Sequence, residues 1–134
     1  MTIREKILVI EDEKSISHFI STVLNNNGYE AMQAQTGEEA LSMISSHCPD
    51  LIVLDLGLPD MDGLEVLRSV RKWSSLPIVV VSARNHERDK VEALDYGADD
   101  YLVKPFTARR FQQALDKFCR QRSAIATHSS VSQE

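Results

Sequence analysis

Leu51-Ile52-Val53-Leu54-Asp55-Leu56-Gly57-Leu58-Pro59 decides the fold: four apolar residues in a row, then a carboxylate, then a glycine and a proline. An apolar run without polar alternation fits a strand covered on both faces, as strands of parallel sheets are. Gly57 and Pro59 signal the turn that ends it, so Asp55 stands where a buried strand surfaces. Two other runs end the same way. Ile7-Leu8-Val9-Ile10 stops at Glu11-Asp12-Glu13, and Ile78-Val79-Val80-Val81 stops at Ser82. Ligands of open parallel sheets bind beyond the carboxyl ends of the strands, so these three ends predict one shared site.

Working outward, apolar runs alternate with segments of helical period. Strands are expected near residues 6–10, 30–33, 51–55, 78–82 and 101–103, and helices near 14–27, 37–46, 63–71, 87–96 and 108–121. Ile16, Phe19, Ile20, Val23 and Leu24 form one apolar stripe, and Phe111, Leu115 and Phe118 another; both read as core. Thr36 with Glu39, and Asp62 with Glu65, have the spacing of a helix cap and its reciprocal acid. Asn26-Asn27-Gly28 and Gly97 end helices. Strict alternation implies an α/β fold: a five-stranded parallel sheet, doubly wound, with five helices on both faces. Residues 1–122 make one domain, and the Ser-rich stretch 123–134 reads as a flexible tail or linker start.

Composition removes several function classes. The chain of 134 residues is 43% hydrophobic and 26% charged, which suits one ordinary globular domain. A net charge of -5 argues against a nucleic-acid footprint of its own. Cys48 and Cys119 lack metal or redox spacing and read as reduced thiols of a cytoplasmic protein. No apolar run is long enough to span a membrane, and the N-terminus has no signal pattern. His18, His47, His86 and His128 lack metal spacing and read as surface residues.

The strand ends carry the chemistry. Glu11-Asp12-Glu13-Lys14 follows the first strand where a dinucleotide fold would need glycines, and neither GxGxxG nor GxxxxGK[ST] occurs. Converging acids bind a hard divalent cation instead, and oxygen ligands with retained waters suit Mg2+. With Mg2+ on Glu11, Asp12 and Asp55, a phosphoryl group is tolerated, Lys104 neutralises remaining charge, Ser82 donates a hydrogen bond, and Ala83 leaves access. Asp55 can then act as nucleophile and become an aspartyl phosphate. Taken singly, Glu11 or Asp12 reads as a first-turn helix acid, Lys104 as a solvated charge, Ser82 as a turn residue and Tyr101 as a half-buried aromatic. Only their coincidence favours a site.

These residues resemble the receiver domain of two-component response regulators, over the chain to about residue 122. Glu11-Asp12 resembles that family's acidic pair, Asp55 its phosphoacceptor, Ser82 its hydroxyl residue, Tyr101 its switch aromatic and Lys104-Pro105-Phe106 its lysine motif. The resemblance implies a flavodoxin-like, CheY-like fold, the Gly57 backbone carbonyl as a further Mg2+ ligand, a cis Lys104-Pro105 bond, and phosphorylation by a sensor histidine kinase. Ser82 and Tyr101 would switch, and Gly57 and Arg84 would flank the approach of water. DLGLPDMDGLEVLRSVRKWSSLPIVVVSAR and DKVEALDYGADDYLVKPF resemble the subfamily that carries a winged-helix DNA-binding domain, absent here, so DNA would be reached only through that domain. DLGLP and the setting of Trp73 lean toward one branch of it.

That subfamily pairs receivers through the fourth helix, fifth strand and fifth helix. Lys90, Asp99 and Asp100 match the pattern, whereas Arg110 replaces an acid, and Ala114 and Gln121 replace arginines. Weak or altered homodimerisation is the expectation. Two rivals remain at this point: a Mg2+-dependent phosphotransferase or nuclease using the same acids, and a phosphate-independent interaction module. The first would favour a DxD run where Asp55 is followed by Leu56-Gly57, and the second would be expected to lose an acid or the lysine.

Overall fold

The computed structural model describes residues 4–118. Strands β1 (Lys6–Ile10), β2 (Glu30–Ala34), β3 (Leu51–Asp55), β4 (Ile78–Ser82) and β5 (Asp100–Val103) alternate with helices α1 (Lys14–Asn26), α2 (Gly37–His47), α3 (Gly63–Arg71) and α4 (Glu87–Asp95). A last helix, α5, occupies 108–118. The sheet is parallel in the order β2-β1-β3-β4-β5, so strand order reverses between β1 and β3. The Ser-rich stretch from 123 on, with His128, Cys119 and Gln121, lies outside the described residues.

The period of two along each strand divides the core. Ile7, Val9, Leu51, Val53, Val79, Val81 and Leu102 pack on one face with α1 and α5. Leu8, Ile10, Ile52, Leu54, Ile78, Val80 and Tyr101 pack on the other with α2, α3 and α4. All five residues of β3 and of β4 are buried, which accounts for their unbroken apolar runs. Each such aliphatic side chain contributes about 1.5–3 kcal/mol by leaving water.

Some sequence expectations needed correction. The α1 stripe is core at Ile20 and Leu24, but Phe19 is 38% exposed and leans on Phe106, centroids 6.0 Å apart. Thr36 Oγ1 accepts from Glu39 N–H at 3.0 Å as a cap should, yet the Glu39 carboxylate accepts from Gln35 N–H, one residue before the cap. Asp62 caps α3 by accepting from Leu64 N–H at 3.0 Å, while Glu65 turns to Arg68. A carboxylate that finds a nearer donor has no reason to close the reciprocal bond. Gly28 and Gly97, both at positive φ, follow α1 and α4 as read from the sequence.

Candidate functional site

Register builds the site. Ile10 pairs with Leu54, so Glu11 stands level with Asp55; Asp55 pairs with Val81, which puts Ser82 one step beyond. Ser82 pairs with Val103, and Lys104 follows, donating its N–H to Ser82 O at 2.8 Å. Glu11, Asp55 and Ser82 are buried polar residues among apolar strands, at 1%, 4% and 1% exposure, and Asp12 is exposed beside them. Three buried polar groups at adjoining strand ends cost stability that packing alone would not select.

Carboxylate oxygens of Glu11, Asp12 and Asp55 all lie within 4.8 Å of one another. One ammonium answers them: Lys104 Nζ is 2.7 Å from Glu11 Oε1 and 3.4 Å from Asp55 Oδ2. Glu11 Oε2 accepts from Glu13 N–H at 3.1 Å, and Asp55 Oδ1 from Gly57 N–H at 3.1 Å. Burial pushes the Glu11 carboxyl up to about 7, with Lys104 and Glu13 N–H pulling against it and Asp55 adding to it. Burial pulls the Lys104 ammonium down, but Glu11 and Asp55 together outweigh that and hold its pKa above the ordinary value. The cluster has more negative charge than Lys104 balances, and Glu11 Oε1, though ion-paired, completes no well-aligned hydrogen bond. An all-oxygen donor set with surplus negative charge fits a hard divalent cation.

Gly57 is exposed, and a Cβ there would meet only the Asp55 carboxylate oxygens, at 3.9 Å each. Gly63 is different: a Cβ would stand 2.6 Å from Leu56 Cα, so only glycine lets the start of α3 close against the end of β3. Ser82 Oγ accepts from Arg84 N–H at 3.0 Å, and its hydroxyl lies in hydrogen-bonding reach of the Tyr101 phenol. Tyr101 is buried with its hydroxyl donating to Arg84 O at 2.8 Å, and burial pushes its phenol above the ordinary value. The Lys104-Pro105 bond is cis. Ala83 and Lys104 join Glu13, Ile16, Phe19 and Phe106 around a largely apolar recess of about 540 Å³ beside the site.

The readout residues sit apart. Lys90 and Arg110 are exposed, on α4 and α5. Asp99 and Asp100 each form an ion pair within the chain. Arg71 Nη2 is 3.1 Å from Asp99, and Arg110 Nη2 is 3.4 Å from Asp100, both within the chain. Ala114 is buried at 1% in the core beneath α5, and Val91 and Leu94 on α4 and Val103 on β5 are exposed. Sequence reasoning did not find the ion pair between Arg84 and Asp62, at 3.2 Å, because neither residue ends a strand.

The family model of the response regulator receiver domain matches residues 7–116. The chain is 47% identical over 118 residues to the KDP operon transcriptional regulatory protein KdpE of Escherichia coli (strain K12), covering 88% of this chain and 52% of that protein. It is 45% identical over 120 residues to the transcriptional regulatory protein KdpE of Mycobacterium tuberculosis (strain ATCC 25618 / H37Rv), covering 90% and 53%. This is the branch toward which DLGLP and Trp73 lean. A two-component response regulator from Clostridium difficile superposes with a TM-score of 0.85 at 30% identity, covering 89% of this chain and 98% of that one. The BeF3-activated N-terminal receiver domain of Klebsiella pneumoniae RstA gives 0.83 at 27% identity, covering 87% and 99%. The chain spans about half the length of the curated relatives it matches.

Proposed function

The chain belongs to the response regulator receiver domain family, and from that premise we propose that Asp55 is the phosphoacceptor of a switch driven by a sensor histidine kinase. One Asp55 oxygen attacks phosphorus, the bond to the donor breaks, and its electron pair leaves with the donor. Glu11, Asp12 and Asp55, with the Gly57 carbonyl, would hold Mg2+, which supplies the charge that offsets repulsion between carboxylate and phosphoryl oxygens. Lys104 neutralises one phosphoryl oxygen, Ser82 turns its hydroxyl hydrogen from Tyr101 to another, and Ala83 beside it leaves room. The observation that carries this reading is the ammonium of Lys104 set between Glu11 and Asp55 at the end of the sheet.

The chain modifies itself and turns over no external substrate; loss of the phosphoryl group is slow hydrolysis. The phosphodonor's docking site is the apolar recess around Phe19 and Phe106, which opens beside Ala83 and Lys104. Output passes through Ser82 and Tyr101 to the face formed by α4, β5 and α5, and from there to a DNA-binding domain beyond residues 1–122. The curated relatives are transcriptional regulators by name, and on that ground we place the protein in the cytoplasm. No helix among the described residues is long and apolar enough to cross a membrane.

Incubation with acetyl phosphate and Mg2+, followed by intact-mass spectrometry, tests the reading. The wild type gains one phosphoryl group and Asp55→Ala gains none. A gain in Asp55→Ala equal to that of wild type would falsify the assignment. Steady release of phosphate from many equivalents of donor would favour a phosphotransferase instead.

A further inference from the structure

Arg84 is held at three points. Its N–H donates to Ser82 Oγ at 3.0 Å, its carbonyl accepts from Tyr101 Oη at 2.8 Å, and its guanidinium pairs with Asp62 Oδ2 at 3.2 Å. The first two bonds fix the backbone beside the phosphoryl-binding hydroxyl. The third crosses to the loop after β3, where Asp62 bridges to Gly57, whose N–H donates to Asp55 Oδ1. Each end of the ion pair is thus one step from a group of the site. Asp62 divides its oxygens: Oδ1 caps α3 through Leu64 N–H, and only Oδ2 holds Arg84. The arginine can leave without uncapping the helix.

We propose that Arg84 is a second phosphoryl-binding cation, parked on Asp62 while Asp55 is free and transferred to the phosphoryl group once Asp55 carries it. The inference rests on the phosphoacceptor reading of Asp55. Charge supplies the drive. A phosphorylated Asp55 with Glu11 and Asp12 carries roughly four negative charges, of which Lys104 and a divalent cation match all but about one. Arg84, bonded through its N–H to Ser82 Oγ, is a nearby cation able to match it from the Ser82 side. The parked pair is weak, because its side chains are 36% and 44% exposed and such pairs contribute little in water. A guanidinium on phosphoryl oxygens makes stronger, charge-assisted hydrogen bonds, so exchange runs toward the phosphoryl group. Asp62 is then a positioning residue: it competes for Arg84.

Competition gives the two partners opposite effects on hydrolysis. In that step water adds to phosphorus, the bond from phosphorus to the Asp55 oxygen breaks, Asp55 leaves as carboxylate, and the water protons remain with phosphate and solvent. Arg84 on the phosphoryl oxygens holds the acyl phosphate in its ground state and obstructs water.

The test measures phosphoryl lifetime by intact-mass spectrometry on the full chain, loaded with acetyl phosphate and Mg2+ and freed of donor. Asp62→Asn keeps the cap, since Asn caps as well as Asp, and releases Arg84; lifetime lengthens by roughly two- to five-fold. Arg84→Gln shortens it by about three- to ten-fold. The double variant behaves as Arg84→Gln, because Asp62 acts only through Arg84. If both single variants shorten the lifetime, the pair is a brace between loops and the proposal is wrong. Unchanged lifetimes, or additive effects in the double variant, overturn it too. Absence of any Asp55-dependent phosphoryl gain in wild type would instead remove the phosphoacceptor reading, and this inference with it.

Discussion

At the scale of single residues, the site is a place where function opposes stability. Glu11, Asp12 and Asp55 crowd within 4.8 Å with one ammonium among them, and like charges at that range disfavour the folded chain. Asp55→Asn removes one charge and keeps an acceptor for Gly57 N–H. Without divalent cations its melting temperature should therefore exceed that of wild type by a few degrees, about 1 kcal/mol in a domain of this size. Adding Mg2+ should raise the wild-type melting temperature and leave that of Asp55→Asn nearly unchanged, by linkage of binding to folding. Scanning calorimetry of both proteins with Mg2+ and with chelator decides it; equal Mg2+ shifts would remove Asp55 from the metal site. Glu11, Asp55 and Ser82 could be picked out in the sequence because each ends an apolar run, and Lys104 because Pro105 follows it. The pairing of Asp62 with Arg84 could not be, because two loop charges have no periodic signature and their pairing takes meaning only from the register of β3 against β4.

Elements show the same division. Strands, helices and the adjacent caps Thr36 and Asp62 could be read from period and punctuation, but a carboxylate that reaches a helix start across a loop could not. Asp60, after β3, accepts from Gly37 N–H at 2.8 Å and Glu38 N–H at 3.0 Å, tying that loop to the start of α2. These backbone donors hold its carboxyl below the ordinary value of 3.8. A depressed folded-state pKa adds stability that is fully present above the ordinary carboxylate range and fades as pH falls through the lower folded value. Asp60→Asn should lose that contribution at neutral pH and flatten the loss of stability below that range, so that the two proteins converge in acid, as read from thermal melts at several pH values. An unaltered acid limb would mean that Asp60 carries no weight there. The recess beside α1 makes a second prediction. Phe19 is exposed at its rim, and aromatic anchors of this kind dominate docking energies. Phe19→Ala should slow phosphoryl transfer from a histidine kinase by about five- to ten-fold and leave uptake from acetyl phosphate unchanged. Equal slowing with both donors would place the defect in the site and not in docking.

For the whole molecule, a parallel sheet with helices on both faces follows from the strict alternation of elements, whereas its strand order and the state of its readout face do not. The sequence indicates that the fifth helix has lost the charges its subfamily uses, and the structure adds what the remaining ones do. Asp99 is engaged by Arg71 and also accepts from Ile78 N–H at 2.8 Å, and Asp100 is engaged by Arg110. Pairing through this face in the subfamily's manner would have to break internal bonds and set Arg110 against Lys90, a like-charge contact that disfavours the mate. Exposed Val91, Leu94 and Val103 still offer apolar surface, so the expected association is weakened without being abolished. The phosphorylated chain should dimerise with a dissociation constant weaker than about 10 µM, near 7 kcal/mol. Arg110→Glu restores an acid opposite Lys90 and frees Asp100, and should tighten the dimer by about two- to five-fold. Sedimentation velocity across a concentration series measures both; a tight wild-type dimer that Arg110→Glu weakens would show that Arg110 is itself an interface residue and that the face has been rebuilt around it.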